Sequence, residues 1–256
     1  MGFLWDGIRQ GFDLIIHGDP YTIHLIWVTL HVAAVSTGVA LVLGLPVGLL
    51  LGVGTGRPRG WRHHRRGGGP HHWALAVGNA GLALPPVLVG VVLSLLMFPA
   101  APLGSWHLLF TLKGVIVAQT VLALPIIVAL TAAAVRSLPP GLLSQARALG
   151  ANTPQVWLLA LREARIGVLA ATIAAVGSAL SEVGAVVLVG GNIEGSTQTL
   201  ASAALEQVNA GHYAQAMAIG IILLGLILII AGALTAIQVG GDGAIRGWRR
   251  RAAVPS

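Results

Sequence analysis

Residues 136–165 read RSLPPGLLSQARALGANTPQVWLLALREAR and form a polar connection between two long apolar runs of the chain. Pro139 and Pro140 are typical of a first helical turn, and Gly150 is typical of the left-handed position that follows a last turn. Thr153, which precedes a proline, marks a second helix start. The stretch therefore predicts a short helix, a tight turn and a second helix that continues into the next apolar run.

The predicted short helix is amphipathic, because its apolar residues recur at helical spacing with polar residues between them. The apolar face consists of Leu142, Leu143, Ala146 and Leu149. An exposed apolar face needs a cover. We expect that cover to be either other loops of the same chain or a partner protein.

The composition on both sides of this stretch is that of a membrane protein. Of the 256 residues, 55% are hydrophobic and only 9% are charged, whereas about a quarter of the residues of a soluble domain are charged. Several charge-free runs exceed the ~20 residues that cross a hydrocarbon core. The predicted fold class is an all-α membrane protein with five transmembrane helices. We place these spans at about 23–53, 73–98, 112–135, 166–189 and 213–238.

The distribution of positive charge gives the orientation of the chain. Thirteen of the fifteen Lys and Arg residues follow the first, third or fifth span, and such clusters mark the cytoplasmic side. We therefore expect a multi-pass protein of the inner (plasma) membrane, with its N-terminus outside and its C-terminus in the cytoplasm. The predicted domains are an external interfacial helix at 1–20, a transmembrane domain at 21–240 with a cytoplasmic loop at 137–163, and a basic tail at 241–256. The net charge of +7 then reflects orientation, and no nucleic-acid partner is expected.

The predicted N-terminal helix has apolar residues at near-helical spacing, with charged residues between them. Leu4, Ile8, Phe12 and Ile15 form this stripe, which is typical of a helix that lies on a membrane surface. An extension of the first span that packs on the bundle would give the same pattern. The segment lacks the positive leader of a signal peptide, so no cleavage is expected.

Several kinds of chemistry are absent from the sequence. The chain has no cysteine, which excludes thiol catalysis and cysteine-ligated metal centres. It also has no Gly-x-x-x-x-Gly-Lys-Ser/Thr phosphate loop, so it is not expected to hydrolyse ATP. His63, His64, His71 and His72 could bind a transition metal, but a cationic loop near anionic lipid has the same composition. We assign no catalytic residue and no metal site.

The cytoplasmic stretch resembles the signature of the permease subunit of ATP-binding-cassette importers. That family carries Glu-Ala-Ala, three residues, Gly, and nine residues later Ile-x-Leu-Pro. Ala146 and Gly150 match the pattern here, whereas Ser144 and Gln145 replace Glu and the first Ala. The end positions also differ, because they read Ala160, Arg162 and Glu163. The place of the motif, between the third and fourth of five predicted spans, agrees with the core of a type I importer permease.

A second stretch resembles the oxyanion branch of the same family. It comprises Ser-Glu-Val-Gly at 181–184, Gly-Gly-Asn at 190–192 and Thr-Gln-Thr at 197–199. Molybdate and sulfate permeases carry similar segments at the end of the fourth span. The Ser-Glu-Val-Gly opening and the doubled glycine look closest to the tungstate permeases.

The resemblance implies the partners and the site residues. Two copies of the chain would flank a path above a homodimeric ATPase that binds ATP and Mg, and an external binding protein would deliver the anion. The residues expected to couple to the ATPase are Ser144, Gln145, Ala146, Arg147, Gly150, Ala151, Pro154 and Gln155. The residues expected to line the path or its gate are Ser178, Ser181, Glu182, Gly190, Gly191, Asn192, Thr197 and Thr199.

Two of these assignments have structural alternatives. Glu182 belongs either to a gate or to a structural hydrogen bond near the headgroups. The glycine-rich segment after it forms either an irregular turn that lines a cavity or a plain outer hairpin.

Two other functions fit an apolar multi-span chain. A secondary transporter driven by an ion gradient needs titratable groups inside the membrane, and one Glu in five spans is few for that purpose. A membrane scaffold that transports nothing would need no chemistry at all. Dependence of uptake on ATP and on a partner ATPase distinguishes the importer from both.

Overall fold

In the computed structural model, the described residues are 17–53, 81 and 83–252, together with Arg9 and Asp13, and side chains are described as far as 239. Within this part the backbone is helical and contains no strand. Its nine α-helices are α1 Pro20–Val53, α2 Pro86–Leu96, α3 Leu112–Arg136, α4 Leu142–Ala148, α5 Thr153–Glu163, α6 Arg165–Ser181, α7 Gly184–Gly190, α8 Leu200–Asn209 and α9 Tyr213–Ala252.

Three of these helices are long and apolar enough to cross a membrane. They are α1, α3 and the part of α9 from Tyr213 to Val239, which agree with the first, third and fifth predicted spans. The helices α5 and α6 together form a fourth candidate that is bent by 67°. The second predicted span is described only in its later part, where α2 is a shorter apolar helix. The total of five spans stays a prediction.

The predicted fourth span, 166–189, is wrong as one continuous helix. Helix α6 ends at Ser181, and α7 begins only at Gly184. Hydropathy alone does not reveal the interruption, because Ser181 and Glu182 are only two polar residues between apolar stretches. The expectation that the helix beginning at Thr153 runs straight into this span is also wrong, since α5 ends at Glu163 and the chain bends before α6.

The start of α4 differs from its prediction. Pro139 and Pro140 precede the helix, which begins at Leu142 after Gly141. Gly141 has φ +90°, a left-handed conformation that interrupts any helix begun by the two prolines. The prolines therefore lie in the approach to the helix and not in its first turn.

The chain forms two compact units, each assembled from separate segments. The first unit comprises Met1–Ala40, Ala83–Leu124 and Ala175–Ile229, and the second comprises Leu41–Leu82, Pro125–Ala174 and Ile230–Ser256. In the first unit, Leu25 of α1 packs with Leu200 of α8 and Ile219 of α9. A neighbouring cluster joins Val28 of α1 to α3 and α7. The core of this unit is therefore formed between transmembrane and shorter helices.

The second unit is held together by close helix contacts at glycines. Gly48 and Gly52 of α1 face Thr131 and Val135 of α3, where an added Cβ would lie 2.7 Å and 2.5 Å from their Cβ atoms. Gly167 of α6 lies equally close to α3. Small residues at such positions let helix backbones approach within membranes, where packing replaces the hydrophobic driving force.

Several predictions fall on parts of the chain outside the described residues. These are most of the interfacial helix 1–20, the histidine loop 63–72 and the side chains of the tail 241–256. The backbone of α9 is helical through Ala252. Arg9 and Asp13 have helical backbone and are exposed.

Candidate functional site

Residues 141–155, which we call the knuckle, fold as two helix ends joined by a tight turn. Gly150 has φ +89°, as its predicted left-handed position requires. The N–H of Ala151 donates to the carbonyl of Ala146 at 3.0 Å, which closes the end of α4. Asn152 and Gln155 then form a capping box, in which each side chain accepts the backbone N–H of the other at 3.0 and 2.8 Å. The predicted restart is thus confirmed, with Asn152 as its cap.

An apolar cluster holds the knuckle against the transmembrane helices of the second unit. Val156 and Ala160 of α5 are fully buried with Leu49 of α1 and Val135 of α3. Leu143 of α4 packs against the same cluster. The position of the knuckle is therefore fixed by buried side chains from two spans.

The other side of the knuckle is exposed and carries most of the predicted coupling residues. The exposed members of that set are Ser144, Gln145, Arg147, Gly150, Pro154 and Gln155, whereas Ala146 and Ala151 are half-buried. Leu149 is 89% exposed. The chain therefore covers part of the predicted apolar face with its own cluster and leaves Leu149 uncovered. In the sequence, the feature that indicates an exposed residue here is the position of Leu149 directly before the left-handed Gly150.

Glu182 lies at the interruption in the fourth span. Its Oε1 accepts the backbone N–H of Ala185 at 3.1 Å, so the carboxylate satisfies a donor in the first turn of α7. On the other side of the interruption, the Ser181 hydroxyl donates to the carbonyls of Gly177 and Ser178 at 2.9 and 3.3 Å. The hydrogen bond of Glu182 is of the structural kind that the sequence predicts as one of the two roles of this residue.

Helix α7 packs closely against α2. A Cβ added to Gly90 would lie 2.7 Å from the Cα of Ala185, and one added to Gly184 would lie 2.6 Å from the Cγ2 of Val87. Backbone therefore meets backbone at Gly90, and the two glycines let α7 and α2 pack closely at this crossing.

The segment after α7 is an irregular turn locked by side-chain hydrogen bonds. Gly191 and Asn192 have φ +74° and +49°. The Thr197 hydroxyl donates to the carbonyl of Gly190 at 2.7 Å and accepts the N–H of Ile193 at 3.0 Å. Thr199 caps α8, where its side chain accepts the N–H of Ser202. Both threonine hydroxyls are thus occupied within the chain and are buried.

A polar network connects this turn to α1 and α8. Glu206 accepts hydrogen bonds from the amides of Asn192, at 2.7 Å, and Gln198. The Tyr21 hydroxyl donates to the Oε1 of Gln198 at 2.8 Å. Tyr21 and Glu206 carry no local sequence signal for this network, because they are 185 positions apart in the chain. Among the described residues, no cluster of three His, Cys, Asp or Glu could hold a metal ion.

These features define a class: a helical membrane protein with an interrupted span and a helical protrusion anchored on its transmembrane core. Residues 44–239 match the family described as "Binding-protein-dependent transport system inner membrane component", and the chain belongs to this family. It is accordingly a multi-pass inner-membrane protein and the permease subunit of an ATP-binding-cassette importer.

Curated relatives match most of the chain. A probable anion ABC transporter permease from Haloferax volcanii is 36% identical over 81% of this chain and 87% of its own length. The tungstate uptake system permease of Peptoclostridium acidaminophilum is 27% identical over 93% of this chain and 99% of its own length. The molybdenum transport permease of Azotobacter vinelandii is 30% identical over 79% of this chain and 89% of its own length.

A solved structure has the same fold. An inward-facing form of the MetNI methionine ABC transporter superposes with a TM-score of 0.68 at 25% identity, over 87% of this chain and 96% of that chain. This similarity agrees with the predicted core of a type I importer permease.

Proposed function

We propose that this permease carries an oxyanion into the cell, with tungstate as the first candidate and molybdate as the second. The observation that carries the proposal is the similarity, over most of the chain, to permeases named for tungstate, molybdenum and an anion. The tungstate-like residues of 181–184 and 190–199 support the same branch. Two copies of the chain form the path, and an external binding protein supplies the anion.

The energy for transport comes from a separate homodimeric ATPase that docks on the knuckle. ATP and Mg are bound by that partner, and this chain holds no cofactor. The exposed side chains of Gln145 and Arg147 support this role, because a guanidinium offers a charge-assisted contact to a partner carboxylate. Leu149 supports it as well, since an apolar side chain that is 89% exposed is a suitable anchor for an interface.

The knuckle faces the cytoplasm, and the turn at 190–199 faces outward. The clustering of Arg on one side of the predicted spans supports this orientation. The N-terminus is then external and the C-terminus cytoplasmic.

The path and its gate include Ser178, Ser181, Glu182 and the turn at 190–199. Thr197 and Thr199 act there by fixing the backbone of the turn, because their hydroxyls already bond within the chain. The side chain of Glu182 fixes the start of α7 in the same way.

Reconstitution tests the proposal directly. The permease, its ATPase and the binding protein are placed in lipid vesicles, and internal tungsten is measured by mass spectrometry. We expect uptake that requires ATP and the binding protein, that persists when ion gradients are collapsed, and that excess molybdate inhibits more than sulfate. Uptake of a different solute class, or uptake that follows an ion gradient without ATP, would refute it.

A further inference from the structure

One face of α8 packs into the first unit, and the opposite face is exposed. Leu200 is fully buried against α1 and α9, whereas Leu205 and Val208 are 45% and 44% exposed. Glu206, between them, joins the turn before α8, because it accepts a hydrogen bond from the amide of Asn192 at 2.7 Å. We call the exposed residues of this face and of the adjoining turn the α8 patch, which consists of Ile193, Glu194, Leu205, Glu206 and Val208. Apolar side chains exposed side by side are typical of an interaction site.

The composition of the α8 patch is that of a surface in contact with water. Two of its five residues carry carboxylates, and Asn209 and His212, which follow it in the chain, are exposed as well. Between positions 214 and 230 of α9, by contrast, the exposed residues are Leu224, Leu228 and Ile229. Charged side chains are costly in hydrocarbon. Lipid tails are therefore not the cover of the α8 patch.

The α8 patch has a fixed shape before any partner binds. Glu206 also accepts a hydrogen bond from the amide of Gln198, whose Oε1 accepts the hydroxyl of Tyr21 on α1. The N–H of Leu200 at the start of α8 donates to the hydroxyl of Thr29 on α1 at 2.9 Å. Because the amides that bond to Glu206 are neutral, they do not cancel its negative charge. A partner thus meets a preformed surface, and binding to such a surface loses less conformational entropy.

Charge distinguishes between the partners that could cover this patch. The phenol of Tyr21 lies among three carboxylates. They belong to Glu194, Glu206 and Asp19, which all interact with it electrostatically. In a symmetric interface between two copies of the chain, the same surface of both subunits meets, so these carboxylates would face like charges at a cost in free energy. Anionic headgroups are repelled for the same reason, whereas a positively charged protein surface is attracted.

We propose that the α8 patch is the docking surface for the external binding protein, which contributes Lys or Arg side chains around an apolar contact. The two carboxylates attract the cationic side chains, and the partner's apolar side chains cover Leu205 and Val208. This inference rests on the proposed function, which has the turn at 190–199 facing outward and a binding protein on that side. Because Thr29 bonds α8 to α1, docking at the patch bears directly on a transmembrane helix.

The charge is tested by its reversal at Glu194. Glu194→Lys is compared with Glu163→Lys, because Glu163 is also exposed but lies at the end of α5, beyond the knuckle. The measurement is the affinity of the tungstate-loaded binding protein for the complex of permease and ATPase in nanodiscs, by biolayer interferometry. Loss of an attraction and gain of a repulsion predict an affinity on the order of fivefold weaker for Glu194→Lys, mainly through slower association. Glu163→Lys and the charge-conserving Glu194→Asp should both keep the wild-type affinity.

The apolar contact is tested with Leu205→Ala, and Leu228→Ala is its control. Leu228 is 64% exposed but follows the start of α9 by fifteen positions, or ~22 Å at ~1.5 Å per residue. Loss of apolar burial predicts about a fivefold weaker affinity of the binding protein for Leu205→Ala, through faster dissociation. Leu228→Ala should keep the wild-type affinity. The melting temperature of both variants should equal that of the wild type, because neither leucine is buried.

The outcomes distinguish the inference from the function on which it rests. Wild-type affinity in Glu194→Lys or in Leu205→Ala overturns the docking surface, and so does equal weakening by a variant and its control. Dissociation of permease dimers by either variant, seen in light scattering with unchanged affinity for the binding protein, would assign the patch to the second copy. A wild-type permease that binds no binding protein refutes that part of the proposed function itself, whereas uptake of another solute refutes only the substrate. If Glu194→Lys fails to assemble, Glu194→Gln replaces it, with about a twofold loss of affinity expected.

Discussion

Replacement of Gly150 by valine tests whether the shape of the knuckle determines ATPase docking. Gly150 has φ +89°, and nothing lies within 4 Å of the place where a Cβ would be. The substitution therefore adds backbone strain without a clash. A β-branched residue in this conformation costs about 1–3 kcal/mol. We expect the variant turn to relax to another shape in the free permease, and docking must then restore the original shape at that cost.

The expected loss of affinity follows from the strain. At about 1.4 kcal/mol for each factor of ten, the ATPase should bind Gly150→Val about 5- to 140-fold more weakly. The measurement is the affinity of the purified permease in nanodiscs for its ATPase, by biolayer interferometry. The melting temperature should change little, because the cluster around Val156 anchors the knuckle independently of the turn.

Gly211 provides a matched control on the other side of the predicted membrane. It has φ +82° and also has nothing within 4 Å of an added Cβ, so Gly211→Val imposes similar strain elsewhere. We expect wild-type affinity for the ATPase in this variant. Unchanged affinity in Gly150→Val, or equal weakening in both variants, would refute the argument that the knuckle is the docking element.

Three further predictions concern packing and exposure. Gly90→Ala should destabilise the permease by about 1–3 kcal/mol through overpacking. Its control, Gly220→Ala, lies in open space on α9 and should stabilise the permease by about 0.5–1 kcal/mol. In detergent, the melting temperature should therefore fall for Gly90→Ala and rise for Gly220→Ala. Thr29→Val should lower the free energy of unfolding by about 1–3 kcal/mol, because it removes the acceptor of the buried backbone N–H of Leu200. Its control, Thr235→Val, lies at an exposed helical position and should leave the melting temperature unchanged. Leu149→Ala should weaken ATPase binding on the order of tenfold, through loss of apolar burial at the interface, and leave the thermal stability of the free permease unchanged. Equal effects in either matched pair, or wild-type ATPase binding by Leu149→Ala, would contradict the reasoning.

The features that could be predicted from the sequence are those set by local physics. The turn at Gly150 and the restart at Thr153 follow from the conformational freedom of glycine and from the unsatisfied amides of a helix start. The long helices follow from the requirement that a backbone in lipid bonds to itself. The residues predicted to couple to the ATPase lie together in the structure because they are neighbours in the chain.

The features that were missed depend on partners distant in sequence. The interruption at Glu182 lies between two apolar runs, and its place is set by the packing of α7 on α2 and by the carboxylate that caps α7. The occupied hydroxyl of Thr197 could not be foreseen either, because its acceptor is the carbonyl of Gly190 in a turn without regular geometry.

The close contacts at Gly48, Gly52 and Gly167 have a consequence for the transport cycle. Because these glycines bring α1 and α6 against α3, and the knuckle shares buried neighbours with α1 and α3, we expect the parts of the three helices in the second unit to shift together with the knuckle as one stiff block. A force applied by the ATPase at the membrane surface would then reach the three helices without first bending a loop. We accordingly expect the hinge that permits alternating access to lie outside these contacts, and bulky side chains at the three glycines to impair transport by forcing these helices apart.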